Sequence, residues 1–132
     1  MVFEESVTLA QPFDEVLAEV KESLAAEGFE VLTEVDIEET IGQRLGTDVD
    51  HFVILGACVP ELASRALAVE PQLGVLLPCN VVVRESSAGV CVEAVDPGVL
   101  VTLSGRDELQ PIVDEARKLV GEALDHLLPP TA

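Results

Sequence analysis

Apolar residues recur at helical spacing in two well-separated stretches, and the chain between them alternates or runs together as strands do. In the first stretch Phe13, Val16, Leu17, Val20 and Leu24 share one face while Asp14, Glu15, Glu19 and Glu22 lie opposite. Pro12 suits the first helical position and Gly28 the C-cap. In the second, Leu109, Ile112, Val113, Ala116, Leu119, Val120, Ala123, Leu124 and Leu127 form one stripe, which Pro129 and Pro130 stop. Each stripe must be buried against something, and the intervening strands are the natural surface.

Val2–Leu9 reads as a first strand. Phe29, Val31, Val35 and Ile37 alternate with Glu30, Glu34, Asp36 and Glu38, which predicts a strand with one wet face. Glu38–Leu45 suits a short helical turn between Gly42 and Gly46, and Phe52–Ala57 a buried strand. Pro60 opens a small helix with Leu62, Ala63, Ala66, Leu67 and Val69 inward, and Pro71 ends it. Val81–Glu85 and Val90–Val95 flank Ser86-Ser87-Ala88-Gly89, which is hairpin chemistry. Asp96-Pro97-Gly98 breaks the chain before the last helix, with Ser104-Gly105 in a loop. The order β-α-β-β-α-β-β-α predicts a single α+β domain over residues 1–132, with a mainly antiparallel five-stranded sheet and helices packed on one face.

Composition narrows the function. Apolar residues make up 48% of the chain and aromatics 3%, so the core is aliphatic. Without Trp or Tyr the usual platforms for stacked bases are missing. A net charge of −18 argues against nucleic acid and anionic membrane surfaces, which are gripped by clustered Lys and Arg. That much like charge is tolerated best in salt, which suggests a salt-rich cytoplasm as one source and an ordinary acidic protein as the other. The apolar runs around Phe52–Val59 and Leu73–Val83 are interrupted well short of the ~20 residues a membrane helix needs. Glu4 and Glu5 stand where a secretory leader would be basic and then apolar, and the cysteines are odd in number, so the expectation is a cytoplasmic protein with free thiols.

Most motifs return structural readings. Gly42-Gln43-Arg44-Leu45-Gly46-Thr47 lacks the spacing and Lys of a phosphate loop, and Ser104-Gly105 lacks the glycines of a nucleophile elbow. Asp48-Val49-Asp50-His51 holds three possible metal ligands, but an extended chain turns His51 away from the two carboxylates. His126 sits where a cation suits a helix C-terminus. Glu4-Glu5 and Glu38-Glu39 read as solvated acids. No cofactor or metal site is expected.

The cysteines say more. Cys58 falls between a strand and the first turn of a helix, where free N–H groups favour a thiolate. Cys79 enters the next long strand, so the two thiols converge if those strands are neighbours. Cys91 alternates with Val90 and Val92 and reads as shielded packing. The run Cys58-Val59-Pro60-Glu61-Leu62-Ala63, then Leu76-Leu77-Pro78-Cys79-Asn80-Val81-Val82-Val83, then Asp96-Pro97 resembles the family known as domain of unknown function 302. Many relatives have Asn where this chain has Val59. The resemblance implies a small α+β fold similar to half of the TATA-binding-protein architecture and a homodimer, with no settled biochemical function. DNA binding by such a sheet conflicts with the charge. Two functions remain: a non-catalytic module that binds a small molecule or a second copy of itself, and a thiol protein using Cys58 and Cys79 for soft-metal binding, sulfur carriage or redox.

Overall fold

A computed structural model describes residues 3–127. Val2, expected to open the first strand, and Pro129 and Pro130, expected to stop the last helix, lie outside the described residues. The elements are β1 (Phe3–Leu9), α1 (Phe13–Ala26), β2 (Glu30–Asp36), a π-helical turn (Glu38–Gly42) running into α2 (Gln43–Leu45), β3 (Phe52–Cys58) and α3 (Pro60–Val69). A 3-10 turn (Pro71–Val75), β4 (Cys79–Ser86), β5 (Gly89–Val95), α4 (Val99–Ser104), a second 3-10 turn (Asp107–Leu109) and α5 (Gln110–Asp125) follow. The five strands make one sheet in the order β1-β5-β4-β3-β2, and every neighbouring pair is antiparallel. The fold is the α+β arrangement that the alternation of helical and strand periods dictates.

Leu9, Val53, Leu55, Val81, Val83, Val90 and Val92 point to one face of the sheet, where α1 and α5 cover them with Val16, Val20, Val120 and Leu124. The two helices are also tied by a buried hydroxyl: Ser23 Oγ donates to the Ala123 carbonyl at 2.5 Å, so this buried polar side chain has a partner. A second, smaller core lies beside the sheet, where Leu62, Ala66, Leu73, Leu100, Leu109, Ile112 and Val113 join α3, α4 and the first half of α5. Val59 and Leu119 pack against both cores. The opposite face of the sheet presents Ile54 and Val82 beside an Arg84–Glu93 ion pair of 2.6 Å.

Three expectations are corrected. The chain does not keep Val31 and Val35 on one side of β2, because a bulge falls between Val31 and Thr33. Val31 pairs with Ala57 on the helix-covered face, whereas Val35 pairs with Ile54 on the open face and is 40% exposed. One added residue reverses the side on which every later side chain emerges. Ser104 lies at the end of a helix rather than in a loop: its hydroxyl donates to the Leu100 carbonyl, and Gly105 at φ +71° stops α4. Finally, α1 begins at Phe13, with Pro12 just ahead of it.

Candidate functional site

β3 and β4 are paired, with Ala57 opposite Cys79, so the two candidate thiols are diagonal neighbours at one end of the sheet. β3 ends at Cys58, Val59 takes the extended N-cap position, and Pro60 starts α3. The Ala63 N–H bonds the Val59 carbonyl at 2.9 Å, fixing the direction in which α3 leaves. Cys79 arrives after a cis Leu77–Pro78 peptide. On the far side, Asp96 Oδ1 accepts from the Gly98 N–H at 2.8 Å and from Arg117 Nη2 at 2.8 Å, tying the end of β5 to α5 and setting Pro97 and Leu100 opposite Ala116.

These elements enclose a half-open cleft of about 50 Å³ at the seam between the two cores. Cys58 and Cys79 both line it, together with Phe29 and Ala57 from the first core, Leu62 and Leu100 from the second, and Ala63 and Ala116 between them. No lining residue is charged. Sequence reading singled out the thiols without assembling the lining; the available signal was the small residues Ala63, Ala66 and Ala116 at positions where larger side chains would close the seam.

The surroundings of Cys58 oppose the thiolate that its place before α3 favours. Burial pushes the Cys58 thiol above its ordinary value, and the Glu30 carboxylate, its partner across β2–β3, adds to the rise. Burial also raises Cys79, to about 11 from 9.0, with the Cys58 sulfur contributing. Cys91 is shielded as expected, at 7% exposure; burial and then Glu93 raise it, while Arg84 and Thr8 act the other way.

A pH dependence follows with a definite sign. A thiol raised on folding contributes stability in full below its unfolded value near 9 and loses it as pH climbs through about 11. For Cys79 the loss is on the order of 2 kcal/mol. Cys58 and Cys91 act in the same direction, so wild type and Cys79→Ala are compared by urea unfolding from pH 8 to 11. The variant is expected to lose less stability over that range, and equal slopes would sink the assignment.

The remaining candidates stay apart. Asp48, Asp50 and His51 are exposed; His51 stacks on Phe13 with ring centroids 4.9 Å apart and sits 3.2 Å from Glu38. His126 lies 3.5 Å from Glu27 at the end of α5. Among the described residues no three His, Cys, Asp or Glu side chains gather as a metal site would require, and no helix is long and apolar enough to cross a membrane.

The sequence profile of the family described as "Domain of unknown function DUF302" matches residues 5–127. This chain belongs to the DUF302 family. The crystal structure of an uncharacterized conserved DUF302 protein from Bacillus stearothermophilus is similar to it, with a TM-score of 0.86 and 29% identity over 94% of this chain and 97% of that one. No curated protein matches. The fold is therefore one that DUF302 proteins share, and the cleft's own residues must carry the functional argument.

Proposed function

We propose that this DUF302 domain is a non-catalytic binding module that takes a small apolar group into the cleft between β3, β4, α3 and α5. One observation carries the reading: in a protein of net charge −18, a concave site at the meeting point of two cores is lined without a single charged side chain. Apolar walls with few polar groups are what small-ligand sites require. The raised thiols weigh against thiolate catalysis, because the nucleophile is the ionised sulfur. A volume of about 50 Å³ suits a short alkyl chain rather than a nucleotide.

Titration of a short-chain alcohol, followed through the alanine methyl resonances, tests this. Saturable shifts are expected at Ala57, Ala63 and Ala116 and should vanish in Ala63→Leu, whose larger side chain fills the cleft. Uniform shifts over the whole protein, or unchanged binding in that variant, would refute the reading. Self-association is a second reading, favoured by the uncovered sheet face with Ile54, Val82 and Val35; native mass spectrometry of the same samples counts the copies.

A further inference from the structure

We propose that the cleft selects a short alkyl chain ending in a protonated amine, with the alkyl group seated between the alanines of α3 and α5 and the ammonium held at the mouth among carboxylates. The inference rests on the apolar-cleft reading and names the chemical class of the ligand.

The walls admit the chain and exclude the charge. Ala63, Ala66 and Ala116 line the cleft with Leu62, Leu100 and Ile112, and no charged side chain joins them. A charged group taken fully inside would lose its hydration and find no partner. An ionised ligand therefore buries only its stem and leaves its head at the mouth, as a long cationic side chain does on an apolar surface.

The rim decides the sign of that head. Successive residues of a helix emerge about 100° apart, so Glu115 and Arg117 of α5 stand on the two flanks of Ala116. Each is engaged across a seam: Glu115 lies 3.6 Å from Arg65 of α3, and Arg117 Nη2 lies 2.8 Å from Asp96 at the end of β5. The guanidinium groups that flank the lining are thus committed, and an incoming carboxylate would have to displace a resident one. An ammonium meets the reverse situation. Glu61, next to the lining residue Leu62, and Glu30, opposite Cys58 across β2–β3, are both exposed and add negative charge near the lining. The whole chain acts in the same sense, since a net charge of −18 concentrates cations and depletes anions over its surface. A primary amine, with a pKa near the ~10.4 of Lys, carries its charge at neutral pH.

The test compares n-butylamine, n-butanol and sodium butyrate at neutral pH, each titrated into the full chain at low salt with the alanine methyl resonances as reporters. The expected order of affinity is amine, alcohol, carboxylate, with the amine at least about tenfold tighter than the carboxylate. Screening shortens the reach of charge to about 3 Å in 1 M salt, so molar potassium chloride should bring that ratio toward unity. Glu115→Gln removes a rim carboxylate and releases Arg65, and should narrow the ratio about threefold at low salt. Glu22→Gln, in a separate surface hollow with Gln11 and His126, should leave it unchanged. Amine shifts that persist in Ala63→Leu, a ratio near unity or inverted at low salt, a ratio indifferent to salt, or equal narrowing in the two glutamine variants would overturn the inference. Alcohol binding with no preference for the amine would overturn it while leaving the apolar-cleft reading in place; failure of all three ligands to move the alanine methyls would remove both.

Discussion

Replacing Gly56 by Ala is expected to destabilise the protein by roughly 2–3 kcal/mol, the upper part of the range of about 1–3 kcal/mol for forcing an extra group into a packed site. For a domain of this size that corresponds to a fall in Tm of about 10 °C. Gly56 stands opposite Thr33 in β2, and a Cβ there would run into Thr33 Oγ1 while lying 2.9 Å from Pro78 Cγ. The threonine can rotate, whereas the proline ring can only change its pucker, with its nitrogen and Cα held by the chain. Thermal melts of Gly56→Ala, Thr33→Ala and the double variant separate the contacts. The double variant should recover part of the loss, with a coupling above about 0.5 kcal/mol. A Gly56→Ala protein that melts with the wild type would show that this close approach does not constrain the fold.

Raising potassium chloride from low to molar concentration should raise Tm by more than about 3 °C, the most that an ordinary surface substitution of ~0.5 kcal/mol achieves in a domain this size. Lys21, Arg65, Arg84, Arg106 and Arg117 each already hold a carboxylate, so most of the basic complement is committed. The acids in excess, among them Glu15, Glu22, Asp48 and Asp50, are exposed. Their repulsion acts over about 10 Å at 0.1 M salt and about 3 Å at 1 M. Screening also weakens the exposed ion pairs, but those are worth little individually. Melting curves that stay flat or fall with salt would show that the carboxylates are no burden, and the suggestion of a saline cytoplasm would lose its basis.

The parts of this structure that sequence reading captured are those fixed by local periodicity. The stripes of α1 and α5 are long, their caps are signalled by Pro and Gly, and the sheet needs two amphipathic helices to cover it. The Ser87-Ala88 turn set the β4–β5 hairpin, whereas the pairing of β3 with β4 was open in the sequence and comes from the sheet order. The misses have a different origin. Val99-Leu100-Val101-Thr102-Leu103 is rich in β-branched residues and does not look helical; α4 forms because Leu100 is buried in the second core, where tertiary packing overrides propensity. The bulge at Leu32 leaves no mark on an alternating pattern until partner strands are known. A cleft is harder still, since it is a space that two separate cores leave between them. The raised thiols follow from the same cause: adjacency to a helix start was visible in the chain, whereas the dry walls were not.

That bulge has a consequence for how the protein behaves when crowded. β2 is the outermost strand on its side of the sheet, and an open strand edge is a template on which other chains can assemble into aggregates. Leu32 and Val35, at 55% and 40% exposure, would encourage such growth on a flat edge. Here the reversal after Val31 turns Glu34 and Asp36 toward the helix-covered face and leaves Glu30 on the other, so an incoming strand meets carboxylates on both sides. It must also skip a residue to stay in register past Leu32. The slip that exposes two apolar side chains thus makes the same edge a poorer template for fibrils than a flat, unbroken one.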